Sequence, residues 1–182
     1  MELRIWHTLP ISIVILLAVG LGVMNYSNVS MQEVPNDGVL TYHSAVCKGY
    51  VHDGVYYDLG CSHNTLTNDG KELIEDWISS NNASYINTIV LGNGTEPTAT
   101  DTSHPGKISD CGLAEYSSLS WTDIGTGNQS ASYEWTSTCN NVVVNTTGLE
   151  SDGDIYFAGN AFTDVTLQTD DKINVTWYVW VT

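Results

Sequence analysis

Basic side chains are scarce in this chain of 182 residues. Only 5 Lys and Arg residues oppose 21 Asp and Glu residues, which gives a formal net charge of −16. A protein that binds nucleic acid through its phosphates needs a stripe of basic residues. The few basic side chains are too scattered to form one, so the composition excludes nucleic acid as a partner. They are Arg4, Lys48, Lys71, Lys107 and Lys172.

Charge of either sign is also sparse, because Asp, Glu, Lys and Arg together make up only 14% of the chain. The polar surface is supplied instead by Ser, Thr and Asn, which account for 52 of the 182 residues. An acidic disordered segment would lack the 10 Tyr and 6 Trp residues present here. The composition therefore favours a folded, β-rich domain with a weakly charged surface and disfavours a cytosolic enzyme.

Long apolar runs are absent apart from one of 14 residues, Ile11–Met24. A helix needs roughly 20 apolar residues to cross a bilayer, whereas a basic start followed by a shorter apolar centre is typical of a secretory signal. No small-x-small cleavage site is obvious, so an uncleaved anchor stays open. We predict that residues 1–24 are a signal peptide or membrane anchor. The protein would then be extracellular or on the cell surface, touching a membrane only through residues 11–24 if these are retained.

Four cysteines fit export, because disulfide bonds persist in oxidising compartments. Three connectivities are possible, and the sequence alone does not choose among them. We predict the sequential pairs Cys47–Cys61 and Cys111–Cys139, whose spacings two hairpin-like loops could close. Zinc is the alternative, since Cys47, Cys61, His52 and His63 lie close together in sequence. That set lacks the short C-x(2–4)-C spacing common in structural zinc sites.

Asn-x-Ser/Thr sequons are unusually frequent and predict N-linked glycans on an exported surface. There are seven of them, at Asn25, Asn28, Asn82, Asn93, Asn128, Asn145 and Asn174.

Hydrophobic patterning predicts a single β-sandwich, jelly-roll or Ig-like, with one short helix. Residues 25–46 are predicted to be an extended linker or donor strand, and residues 47–182 the disulfide-linked domain. A strand is predicted over 51–59. A helix is predicted over 69–80, capped by Asp69 with Glu72, and carrying an apolar stripe of Leu73, Ile74, Trp77 and Ile78.

The remaining strands follow from turn residues and alternation. Gly125–Asn128 is predicted to be a hairpin turn, and residues 155–158 and 165–167 are predicted to be two separate short strands. In residues 173–182 one face carries Ile173, Val175, Trp177, Val179 and Val181, and the other includes Tyr178 and Trp180. The first face is predicted to be core. The outward aromatics either lie under a loop or form a subunit interface, together with donor residues Val39, Leu40 and Tyr42.

Recognisable catalytic motifs are absent, so no catalytic residue and no cofactor are predicted. His104 precedes Pro105-Gly106 and is expected to be solvated in a turn. Calcium is the one open possibility, because Glu150, Asp152 and Asp154 place three acidic residues around a glycine.

Two long blocks and some shorter ones carry a family resemblance. The long ones are residues 58–71 (DLGCSHNTLTNDGK) and 85–102 (YINTIVLGNGTEPTATDT). Shorter blocks follow at Cys111–Ala114 and Thr147–Leu149, and the last covers residues 157–177 (FAGNAFTDVTLQTDDKINVTW). Together they resemble a β-rich domain of phage tail and other virion structural proteins that also occurs in exported archaeal surface proteins. The resemblance covers about residues 58–182 and implies a β-sandwich building block without catalytic residues.

These observations predict a non-enzymatic structural subunit of an extracellular assembly, such as a surface filament or pilus. Its glycosylated sandwich domains would form a homopolymer by β-strand addition, with residues 39–46 as the donor. The same segment could instead pack on its own domain. Two other hypotheses stay open: a virion coat, spike or fibre protein, and a surface module that binds carbohydrate or a partner cell.

Overall fold

The structure is a computed structural model that describes residues 41–79, 84–152 and 154–182. The described chain forms two antiparallel sheets and one helix, which confirms the predicted β-sandwich class. The first sheet contains five strands in the order β2-β1-β9-β6-β5, and the second contains four in the order β3-β8-β7-β4. The elements are β1 (Tyr42–His52), β2 (Val55–His63), β3 (Thr65–Leu66), α1 (Asn68–Ser79), β4 (Ile86–Gly92), β5 (Thr122–Gly125), β6 (Asn128–Thr136), β7 (Val142–Ser151), β8 (Tyr156–Leu167) and β9 (Lys172–Val181).

Strand β9 occupies the centre of the five-stranded sheet. It pairs with β1 from Tyr42↔Val181 to Val51↔Lys172, and with β6 from Asn128↔Trp180 to Thr136↔Lys172. Its alternation matches the sequence prediction over its first half, because Ile173, Val175 and Trp177 are all fully buried. Towards its end the prediction of a core face is wrong, because Val179 is only half-buried and Val181 is 43% exposed where the sandwich opens.

The core lies between the two sheets. Val46 and Trp177 of the five-stranded sheet belong to the same apolar cluster as Leu149 and Phe157 of the four-stranded sheet. All four side chains are at most 1% exposed. Because burying a large apolar side chain contributes roughly 1.5–3 kcal/mol, this cluster is the main source of folding free energy.

The outer edge of β4 is covered by the segment that follows it. Ile89 exchanges two backbone hydrogen bonds with Tyr116, and the Ile108 and Leu119 amides donate to the Leu91 and Asn87 carbonyls. The Tyr116 ring also stacks on Tyr133, with centroids 3.8 Å apart, which ties this segment to the other sheet. The four-stranded sheet is therefore closed at β4.

The helix begins one residue earlier than predicted and has a different cap. The Gly70 amide donates to Thr67 Oγ1 over 2.9 Å, so Thr67 is the N-cap and Asp69 lies in the first turn. Leu73 is buried, whereas Ile78 is 68% exposed, so only part of the predicted apolar stripe faces the core. Trp77 lies at the edge of that contact and stacks on Phe157.

Two strand predictions are wrong, for local reasons. Residues 51–59 are not one strand, because Asp53 and Gly54 both adopt positive φ and turn β1 back into β2. Asp-Gly is a favoured pair for such a two-residue hairpin. The predicted strands 155–158 and 165–167 are one continuous strand, β8, in which Gly159 and Asn160 are buried and paired with β7.

The folded domain begins earlier than the predicted boundary at Cys47. Residues 42–46, assigned by sequence to the linker, form the start of β1 and pair with β9. The predicted signal or anchor, residues 1–24, and the rest of the linker lie outside the described residues. Within the described ranges, no helix is long and apolar enough to cross a membrane.

The packing of β9 predicts that the same Val→Ala substitution lowers the free energy of unfolding by different amounts at the two ends of the strand. Val175→Ala removes two buried methyl groups and should lower the free energy of unfolding by about 2 kcal/mol. Val181→Ala, on the same face but 43% exposed, should change it by less than about 0.5 kcal/mol. Urea unfolding of both variants measures the difference, and equal losses would contradict the described packing.

Candidate interaction surfaces and buried polar sites

Both disulfide bonds form with the predicted sequential pairing. Cys47–Cys61 joins directly opposed residues of β1 and β2, and Cys111–Cys139 ties the segment after β4 to the β6–β7 connection. The Cys47–Cys61 bond leaves no free thiolate for the alternative zinc site, which would need both of these cysteines as ligands. His52 instead faces Asp171, with Nδ1 2.8 Å from Oδ2. Two disulfide bonds are typical of a protein in an oxidising environment.

The outer face of the five-stranded sheet carries aromatic side chains. Tyr178 and Trp180 project from this face of β9, as the alternation predicted, and both are half-buried. Trp180 lies opposite His43 of β1 and Asn128 of β6 in register. The Trp180 and His43 rings stack with centroids 5.5 Å apart and planes 12° from parallel. The stack gives the sheet a flat, partly exposed aromatic surface.

Strand β2 is the long edge of the same sheet, and it pairs only with β1 among the described strands. Its first three residues are apolar or aromatic and well exposed: Val55 at 53%, Tyr56 at 50% and Tyr57 at 41%. Tyr57 stacks on Tyr50 with centroids 4.8 Å apart, and Tyr56 lies against Gly49. On both faces of this edge, a tyrosine of β2 therefore contacts β1 and still exposes a large part of its ring to solvent.

The predicted donor residues do not form one outward surface. Val39 and Leu40 lie outside the described residues. Tyr42 points into the sandwich, where its ring meets Phe157 edge-to-face with centroids 5.6 Å apart. Burial raises the pKa of Tyr42 to about 12. Since residues 42–46 pair with β9 of their own chain, the hypothesis that this part of the segment is donated to another subunit is corrected.

The predicted glycosylation sites that the structure describes differ in exposure. Asn93 is exposed, in the loop after β4, whereas Asn128, Asn145 and Asn174 are half-buried on strands. The Asn145 amide nitrogen donates to Asp164 over 3.2 Å. Asn25, Asn28 and Asn82 lie outside the described residues, and glycan occupancy stays a prediction at all seven positions.

The three acidic residues proposed for calcium do not form a metal-binding group. Glu150 is only 5% exposed, and its carboxylate accepts a hydrogen bond from Lys107 Nζ at 2.6 Å. Burial raises the pKa of Glu150, and Lys107 opposes that shift. Asp152 Oδ1 accepts from the Tyr85 amide instead. Across residues 41–79, 84–152 and 154–182, no cluster of three potential metal ligands is present.

His104 is buried, contrary to the expectation that it would be solvated. It is 4% exposed, with Nδ1 3.0 Å from the Tyr156 hydroxyl and Nε2 3.1 Å from Thr146 Oγ1. A Cβ at Gly92 or Gly148 would lie within 2.7 Å of the ring, so these glycines provide its space. Burial lowers the pKa of His104 to about 4, with the positive charge of Lys107 as a second cause.

A second buried polar group, which the sequence did not indicate as a site, centres on Lys48. Its Nζ donates to Ser62 Oγ over 2.6 Å and to Asn160 Oδ1 over 3.0 Å. Lys48 is 3% exposed. The sequence did contain a signal, because Lys48 is two residues from both Val46 and Tyr50 and therefore lies on the same, core-facing side of β1. The Asn160 partner, 112 positions away, could not be found from spacing.

No family model, curated protein or solved structure matches this chain. The resemblance to domains of virion and exported archaeal proteins therefore stays a prediction.

Opposite pH dependences are expected from His104 and His52. The unfolded chain protonates His104 near pH 6.5, whereas the folded protein resists until about pH 4. Acidification through this window should therefore cost about 3 kcal/mol of folding free energy at this one site. The hydrogen bond to Asp171 raises the pKa of His52. The stabilisation that protonated His52 gives the fold is therefore fully present below pH 6.5, and it is lost as the pH rises through the pKa of the folded state.

Urea unfolding from pH 7 to pH 4 separates the two histidines. His104→Gln should flatten the loss of stability on acidification, whereas His52→Asn should steepen it. Parallel curves for His104→Gln and the unmodified protein would show that His104 is not held neutral in the fold.

Proposed function

We propose that this protein is a non-enzymatic structural subunit of an extracellular assembly, filamentous or pilus-like, whose sandwich domains join by β-strand addition. The observation that carries the proposal is the nine-residue edge strand β2 with Val55, Tyr56 and Tyr57 exposed. The two disulfide bonds, the predicted leader and the sequons support export to the cell surface.

Strand β2 is the best acceptor edge among the described strands. Exposed edges pair readily with an added strand, because their unpaired N–H and C=O groups form a template. The other edges are less suitable, since β5 has four residues, β3 has two and β4 is covered by residues 107–119. Natural proteins commonly protect such an edge with charge, but among Val55–Tyr57 there is none.

The donor in this proposal is residues 25–40 of a neighbouring subunit. The sequence predicts that segment to be extended, and the following residues are already paired within their own sheet. The donated segment would pair beside β2 and become a sixth strand of the acceptor subunit's five-stranded sheet. Repetition of this contact from subunit to subunit would give a head-to-tail polymer.

Charge placed on the acceptor edge should block assembly without unfolding the domain. We expect Val55→Lys combined with Tyr57→Lys to abolish fibres in negative-stain images and to leave a monomer in sedimentation. Ile124→Lys is the matched control, because Ile124 is 46% exposed on β5, the opposite edge of the same sheet. Deleting residues 25–40 should abolish fibres as well.

Fibres from the β2 double variant would refute strand addition at this edge. Fibres from the deletion variant would refute the donor. Closed particles that purify with virus instead of fibres would favour the virion hypothesis.

A carbohydrate-binding module is the second candidate, favoured by the stacked Trp180 and His43 rings on the outer sheet face. Aromatic faces of this kind give flat apolar contact area for a sugar ring. On a glycan array, Trp180→Ala should reduce any saturable binding at least tenfold, whereas Trp77→Ala on the helix should not. No binding by the unmodified protein would remove this candidate.

A further inference from the structure

Three side chains meet in the interior where the two sheets face each other. Lys48 comes from β1, Ser62 from β2 and Asn160 from β8 of the opposite sheet. Lys48 and Asn160 are 3% and 5% exposed. The amine and the amide therefore have little access to solvent, while Ser62 beside them is half-buried.

The orientation of the Asn160 amide is determined by its neighbours. Its Nδ2 lies 2.6 Å from the His63 carbonyl oxygen, which can only accept a hydrogen bond. The other atom, Oδ1, consequently faces Lys48 Nζ at 3.0 Å. The amine therefore contacts the oxygen of this amide directly, and the carbonyl carbon is the atom bonded to that oxygen.

Lys48 is also unusual in its electrostatic surroundings. None of the ion pairs among the described residues includes it, although its Nζ lies 5.7 Å from the Phe162 ring centroid. Burial lowers the pKa of Lys48 to about 8. At pH 7 roughly a tenth of the side chain is then a free, nucleophilic amine.

Ser62 links the attacking and leaving nitrogens. Its Oγ accepts from Lys48 Nζ at 2.6 Å and from Asn160 Nδ2 at 3.0 Å. A hydroxyl both donates and accepts, so it can take a proton from one nitrogen while giving its own to the other.

We propose that Lys48 and Asn160 join in an intramolecular isopeptide bond. The Lys48 Nζ lone pair attacks Asn160 Cγ, and the new C–N bond replaces the bond from Cγ to Nδ2. The proton lost by Nζ reaches Nδ2 through Ser62 Oγ, and ammonia leaves. The product is a secondary amide, and no oxidant, metal or other reactant is needed.

The bond would join a strand of one sheet covalently to a strand of the other, whereas neither disulfide bond joins strands of different sheets. Cys47–Cys61 lies within the five-stranded sheet, and reduction breaks it. An amide between β1 and β8 would resist reduction. The inference is independent of the proposed function, because it concerns one chain and holds whether or not that chain polymerises.

Intact mass and peptide mapping of the full chain, reduced, alkylated and freed of N-glycans, test the proposal. We expect a mass about 17 Da below that of the unbonded chain, because one ammonia is lost. Digestion should give a single cross-linked species containing Lys48 and Asn160. A mass equal to that of the unbonded chain, with the two residues in separate peptides, would overturn the proposal.

Two variants test the assigned roles. Lys48→Met keeps an unbranched side chain one atom shorter, without a nucleophile or a buried charge. It should show no ammonia loss while retaining both disulfides and the near-UV spectrum. Ser62→Ala should slow the appearance of the cross-linked species at least tenfold after refolding. Formation at the unmodified rate would refute proton transfer through Ser62.

Discussion

The two-sided pairing of β9 and the burial of one of its faces organise the domain. Ile173, Val175 and Trp177 fill the space between the sheets, while the backbone of the same strand pairs with β1 on one side and β6 on the other. Because side chains alternate along a strand, burying this face fixes the register of both neighbours. The opposite face then carries Tyr178 and Trp180, so the outer aromatic surface is a consequence of core packing.

The same registers bring polar groups into the interior, where each needs a partner. A buried hydroxyl, amide or amine without hydrogen bonds costs free energy, and a buried charge costs more. His104 meets this requirement as a neutral ring between two hydroxyls. Lys48 meets it less completely, since its partners are the neutral oxygens of Ser62 and Asn160. The two sites show different solutions to one constraint, and only Lys48 has a reactive neighbour.

The surface shows a similar contrast between protected and open edges. Residues 107–119 cover β4 by backbone hydrogen bonds, whereas β2 presents apolar side chains at its start. The net charge of −16 maintains solubility over the molecule as a whole. It does not protect the first residues of β2, which is why that edge is the point of association in the proposed assembly.

The sequence by itself determined the fold class and the inner face of β9 from Ile173 to Trp177, because these follow from local alternation. It left three disulfide connectivities open, and the structure selected the sequential one. The sequence also placed the hairpin at Gly125–Asn128 and the helix within a residue of its start. The Asp53–Gly54 turn was not predicted, although Asp-Gly is a favoured turn pair, because the Val and Tyr residues on both sides of it favoured one continuous strand. Tertiary structure alone decided that Tyr42 packs against the core, that His104 is buried, that Glu150 pairs with Lys107, and that Lys48 meets Asn160. Each of these contacts depends on which strands become neighbours across the sandwich, and residues 112 positions apart carry no local pattern that records their proximity.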